Sequence, residues 1–118
     1  MDLQKIGERL QAFADEREWD KFHSPKNLVM ALVSEVGELV EIFQWLTEKE
    51  SEDIRDNKKM LQKVEEEIAD IEIYLIRLSQ KLGIDIEKAV LEKIEKNAIK
   101  YPVHLSKGSA KKYTEFNT

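Results

Sequence analysis

Ser24-Pro-Lys-Asn-Leu-Val-Met-Ala-Leu-Val-Ser-Glu-Val-Gly-Glu-Leu-Val-Glu-Ile-Phe-Gln-Trp-Leu46 is the stretch that decides the class of fold. Serine followed by proline reads as a helix start. The hydroxyl caps the first turn, and proline takes the first helical position, where its missing N–H has no intrahelical partner to lose. Leu28, Leu32, Leu39, Ile42 and Leu46 then share one stripe, so a helix is expected over about residues 25–46. Glu35 sits inside that stripe, where the period asks for an apolar side chain. A local rule broken in this way tends to mark a functional position.

Working outward, Leu3, Ile6, Leu10 and Phe13 predict a first helix over about residues 2–17. A break follows through Trp19, Asp20, Lys21, Phe22 and His23. Residues 47–57 are polar and read as a connection with at most a short helical turn. Leu61, Val64, Ile68, Ile71, Leu75, Leu78 and Leu82 follow a near-heptad seam in a third helix over about 58–82, stopped by Gly83. Asp85 is the expected cap of a fourth, over about 86–100, with Ile86, Val90, Ile94 and Ala98 facing inward and Tyr101-Pro102 ending it. Alternating strand patterns, repeats and low-complexity tracts are absent. The expectation is an all-α, antiparallel four-helix bundle forming one domain over 1–118, with a helical core of about 2–100 and a tail of 101–118. So small a bundle leaves apolar helix faces uncovered, and an oligomer would cover them.

Bulk composition narrows the function. The chain has 118 residues, 42% hydrophobic and 36% charged, with 19 basic against 24 acidic side chains and a net charge of −5. That balance argues against a nucleic-acid polymer as partner, which calls for a basic patch. Without cysteine, disulfides, thiolate metal sites and thiol nucleophiles are excluded. No apolar run approaches the ~20 residues of a membrane span, and the N-terminus has no signal-peptide core, so a cytoplasmic location is expected.

Chemistry concentrates in two i, i+3 carboxylate pairs, Glu35-Val-Gly-Glu38 and Glu67-Ile-Ala-Asp70. Residues three apart share a helix face. Two such pairs on packed helices put four negative charges into one small volume, which is costly unless a cation relieves it. An all-oxygen donor set suits Mg²⁺, with Mn²⁺ a substitute. The competing account is a solvated flank, natural in a run such as Glu65-Glu66-Glu67, with Arg77 and Lys81 pairing to acids one turn earlier. Carboxylate-bound Mg²⁺ suggests chemistry on phosphates. There is no P-loop, no convincing Ser/His/Asp triad, and no Glu-x-x-His pair for a di-iron bundle. Trp19, Phe22, His23 and Trp45, near the ends of the first two helices, read either as corner packing or as a stacking pocket for a base. The basic run Lys107, Gly108, Ser109, Lys111, Lys112 reads either as a loose terminus or as an arm that closes over phosphates.

The two carboxylate pairs resemble the paired motifs of the MazG-like all-α nucleotide pyrophosphohydrolases. Three longer blocks resemble the dCTP pyrophosphatase branch of that family: Phe22-His-Ser-Pro-Lys-Asn-Leu28, Ser34-Glu-Val-Gly-Glu-Leu-Val-Glu-Ile-Phe-Gln-Trp45, and Tyr101-Pro-Val-His-Leu-Ser-Lys-Gly-Ser-Ala-Lys-Lys-Tyr-Thr114. The resemblance implies a homotetramer (a dimer of dimers), Mg²⁺ dependence, and hydrolysis of dCTP and its 5-modified forms to the monophosphate and pyrophosphate. It further implies that Glu35, Glu38, Glu67 and Asp70 hold the metal. Trp19, His23, Trp45 and Tyr74 are then expected to line the nucleotide pocket, with Asn97 near the substrate and Lys107 and Ser109 close to the phosphates. Lys26 and Lys107 stand where animal members favour arginine, and each loses the bidentate fork.

The mechanism expected on this basis is in-line attack of a water on the α-phosphorus, with Glu38 as base because it is displaced from the apolar stripe, and Asp70 as a second catalytic carboxylate. Two other classes stay open: a broad-specificity triphosphate house-cleaning enzyme and a non-catalytic helical interaction module.

Overall fold

The computed structural model describes residues 1–116, and among them no strand occurs. Six helices follow in order: α1 (Leu3–Glu16), α2 (Pro25–Phe43), α3 (Glu48–Asp53), α4 (Lys58–Leu82), α5 (Ile86–Lys100) and α6 (Val103–Ser106). The all-α class is as expected, and α4 and α5 have the expected bounds. Two compact units divide the chain, Met1–Gly83 and a second beginning at Ile84.

Caps explain most helix boundaries. Side chains of Asp2, Ser24, Asn57 and Asp85 each accept the backbone N–H three residues on, which satisfies a donor that the first turn leaves free. The α1 terminus is a Schellman motif: Trp19 N–H donates to Ala14 C=O at 2.8 Å and Glu18 N–H to Asp15 C=O at 3.1 Å. Glu18 takes the left-handed conformation this demands, with φ 54°, although it is not glycine. Trp19 then meets Phe13 edge-on at 5.7 Å, the apolar contact that accompanies such an ending. Gly83 ends α4 at φ 65°, its N–H directed at the Ser79 and Gln80 carbonyls.

Two boundaries differ from expectation. Helix α2 stops at Phe43 rather than near Leu46, because Thr47 starts a new helix with a reciprocal capping box. Thr47 N–H donates to Glu50 Oε1 at 2.9 Å, and Glu50 N–H to Thr47 Oγ1 at 3.1 Å. The segment read as a polar connection is therefore α3 followed by a 3₁₀ turn, Ile54–Asp56.

In the first unit, α4 is the hub: α2 packs along it most extensively, and α1 crosses it more lightly. Ala14, Leu28, Ile54, Val64 and Ile76 make the buried apolar core. In the second unit the tail folds back on its own helix end. Tyr101 meets the rings of Tyr113 and Phe116 edge-on, and Ser106 Oγ donates to the Pro102 carbonyl at 2.8 Å. Val90 and Ile94, expected to face inward, are each about half exposed (51% and 54%) in the single chain.

Candidate active site

Two helices deliver the acids. Oxygens of Glu35 and Glu38 on α2 and of Glu67 on α4 lie within 4.8 Å of one another. Glu35 and Glu67 are half-buried, and Glu38 is exposed. In each of Glu35 and Glu67 one oxygen, Oε2, is buried without a hydrogen-bond donor. Burial pushes the Glu35 carboxyl up to about 7, helped by its contacts with Glu67 and Glu38 and by the charge of Asp70. The contact with Glu35 favours the charged form of Glu67, yet burial, Glu38 and Asp70 together leave its pKa raised. Those two carboxyls share a hydrogen bond only while one of them carries a proton. Once both ionise, the carboxyls repel and each keeps a buried oxygen with no donor, an arrangement that a hard divalent cation completes. The donor set therefore fits a carboxylate-bound metal. Asp70 stands outside the closest set of three, but its charge acts on both Glu35 and Glu67.

Beside the acids lies a cavity of about 340 Å³, lined by Leu10, Phe13, Trp19, His23, Asp70, Ile73, Tyr74 and Arg77. Asp70, Ile73, Tyr74 and Arg77 recur at helical spacing, so one face of α4 forms its wall. Asp70 belongs to both places. Tyr74 reports the same proximity: burial, then the Glu35 and Asp70 charges, raise its phenol above the ordinary value and keep it a proton donor. Largely apolar walls with a few polar groups suit a flat heterocycle.

Most expected pocket residues in the first unit meet here, with one exception. Trp19, His23 and Tyr74 line the cavity, whereas Trp45 is 86% exposed beyond the end of α2 and is not among the lining residues. Phe22, also read as a stacking candidate, is exposed with the Lys21 ammonium 5.3 Å from its ring centre. Asn97, Lys107 and Ser109 all belong to the second unit. Asn97 C=O accepts the Tyr101 N–H, and Ser109 Oγ accepts the Lys111 N–H.

Arg77 and Lys81 do not pair with acids one turn earlier. Both reach Asp20, at 3.0 and 2.7 Å, because the Trp19–His23 segment is folded against α4. Bonds from Lys81, Gln11 and Arg77 hold the Asp20 carboxyl well below the usual carboxylate range. The competing account fails on this point because a helix's own spacing cannot reveal a partner 57 residues away. Sequence reasoning does not find Arg77 as a cavity-lining residue, nor Asp20 and Gln11 as its partners. The available signal was a charge at Arg77 inside the apolar run Tyr74-Leu-Ile-Arg-Leu78.

A rat protein named dCTP pyrophosphatase 1 is 47% identical over 108 residues, covering 91% of this chain. The human protein of that name is 45% identical over the same span. This chain covers 64% of the length of each of these relatives. A crystal structure of a pyrophosphatase from Archaeoglobus fulgidus superposes with a TM-score of 0.80 at 42% identity, covering 86% of this chain and 94% of that one. Residues 30–116, which take in both carboxylate pairs, match the MazG-like family, and with an acid cluster and helical fold of this kind the chain belongs to it.

Proposed function

We propose that this chain hydrolyses dCTP, and 5-modified dCTP, to dCMP and pyrophosphate with Mg²⁺, removing these nucleotides from the pool. The observation that carries the reading is the pair of donorless buried oxygens on Glu35 and Glu67 beside a largely apolar cavity of about 340 Å³ with aromatic walls. The names of the relatives support the choice of substrate.

Glu35 and Glu67, with Glu38 and Asp70, would hold Mg²⁺, which supplies charge neutralisation at the phosphates and acidifies a water. Trp19 and Tyr74 flank the base, and His23 meets its edge. Glu38, the exposed member of the cluster, takes the proton of the attacking water. The new P–O bond forms at the α-phosphorus as the bond to the bridging oxygen breaks, and pyrophosphate leaves. By the resemblance, Lys107 and Ser109 would approach the phosphates, Asn97 would lie near the substrate, and Trp45 would line the nucleotide pocket.

The working form is a homotetramer in the cytoplasm. Val29, Val33, Val36 and Val40 on α2 and Ile68, Leu75 and Leu82 on α4 are exposed at helical spacing, two stripes that copies of the chain would cover. Among the described residues no helix is long and apolar enough to cross a membrane.

The test is product analysis with the four dNTPs and 5-methyl-dCTP, with and without Mg²⁺. Mg²⁺-dependent dCMP and pyrophosphate, with little from purines, supports the proposal. Equal cleavage of all substrates keeps the chemistry and replaces cytosine selectivity with general clean-up. No cleavage of any, with no stabilisation by Mg²⁺ and nucleotide, favours an interaction module.

A further inference from the structure

Arg77 is the most deeply buried charged side chain among the described residues, 2% exposed, and it spends its donors on four different partners. Nη1 donates to Gln11 Oε1 and Gln80 Oε1, both at 2.8 Å, and Nη2 to Asp20 Oδ1 at 3.0 Å. Nε lies 3.2 Å and Nη2 3.1 Å from Nδ1 of His23. The guanidinium is itself fixed from three sides. Asp20 is held by Lys81, Gln11 bridges to Asp20 at 3.2 Å, and Gln80 Nε2 donates to the Gly7 carbonyl on α1 at 2.8 Å. At Gly7 a Cβ would lie 2.8 Å from that Gln80 nitrogen, so glycine is what lets the amide reach α1.

Guanidinium carries only donors and does not deprotonate in proteins. A ring nitrogen in its reach must therefore be the acceptor, which leaves His23 its proton on Nε2. Since His23 lines the cavity and Nδ1 is taken by Arg77, Nε2–H is the polar atom the ring has left for a ligand. We propose that Arg77 is a positioning residue that locks His23 as the Nε2–H tautomer, so that the cavity recognises a base through an acceptor on its edge, a carbonyl oxygen or an unprotonated ring nitrogen, and not through an amino group. The ligand half of this inference rests on the reading of the cavity as a nucleobase pocket; the tautomer half does not. The surrounding charges act in the same direction. Burial and then Arg77 lower the His23 pKa, Asp20 opposes them, and Lys81 adds to the lowering. Asp70, Tyr74 and Arg77 are the other ionisable groups that line the same cavity.

The experiment is two-bond ¹H–¹⁵N correlation on the full chain with ¹⁵N-labelled histidine. The chain has two histidines, and His23→Gln assigns the spectrum. Expected at neutral pH is a proton on Nε2 and a bare Nδ1 in the wild type. In Arg77→Met the tautomers should mix, and KM for the preferred nucleotide should rise about tenfold, more than kcat falls. A proton on Nδ1 in the wild type overturns the inference, and so does an unchanged tautomer in folded Arg77→Met. If Arg77→Met does not fold, the wild-type spectrum still decides. Nucleotide cleavage with Nδ1–H refutes this inference alone; Nε2–H in a protein that cleaves nothing refutes the nucleobase reading and leaves the Arg77–His23 lock standing.

Discussion

Glu35 on α2 and Glu67 on α4 each bury one carboxylate oxygen that finds no donor, and their carboxyls meet across the helix interface. Folding shuts one oxygen of each carboxylate off from water without giving it a donor, so the site stores a demand for either a proton or a cation. Asp70 and Glu38 raise that demand from both sides.

Metal-free stability should fall with rising pH across the window this creates. Glu35 titrates near 7 in the folded chain against an ordinary 4.5, so between those values the folded state keeps a proton that the unfolded state has lost. Glu35→Gln should flatten the loss, by on the order of 1–2 kcal/mol once partial exposure is allowed for, and should weaken Mg²⁺ binding. Thermal melts in chelator against pH check the sign; an undiminished slope in the variant contradicts it.

Asp70→Asn should lower metal-dependent activity by roughly 10–100-fold while leaving helicity and the melting temperature close to wild type, because the group acts on the carboxylate cluster from its edge. Turnover at limiting Mg²⁺ beside circular dichroism checks both halves.

Trp19→Ala and Trp45→Ala should part company. Trp19 packs on Phe13 and lines the cavity, so its loss should cost stability and raise KM, about 1–3 kcal/mol of stacking being at stake. Trp45 is exposed, and its loss should shift stability by less than about 0.5 kcal/mol. Any rise in KM in that variant then reports direct contact with the nucleotide, and an unchanged KM removes Trp45 from the pocket.

Glu18→Gly should stabilise the protein by about 1 kcal/mol, since it relieves a side chain held at φ 54° in a helix-ending motif that glycine satisfies at no steric cost. Denaturant midpoints measure it, with an unchanged m-value expected.

Asp20 should make the fold acid-sensitive. Its carboxyl is depressed by Lys81, Gln11 and Arg77, so its contribution is complete above the ordinary carboxylate range and is lost as pH falls through the folded value. Asp20→Asn should be less stable at neutral pH and lose less on acidification. Parallel acid titrations of the two proteins test this.

Local chemistry is what the amino-acid sequence determined on its own. Caps at Ser24 and Asp85, the glycine stop at Gly83, and helical periodicity are local features of the chain, so α1, α4 and α5 were legible nearly to the residue. The Thr47–Glu50 capping box was equally local and could have been read. Both carboxylate pairs were visible for the same reason, Glu35 most of all, as an acid inside an apolar stripe. Which oxygens lose their donors, however, depends on how α2 packs against α4, and only the tertiary structure decided that. It also decided the partners of Arg77. Its acceptors on Gln11, Asp20 and His23 lie 66, 57 and 54 residues away, brought near by a chain reversal at Glu18 that no helical period encodes. Trp45 shows the same division from the other side: its aromatic identity suggested a pocket, but a helix that ends at Phe43 leaves the ring exposed.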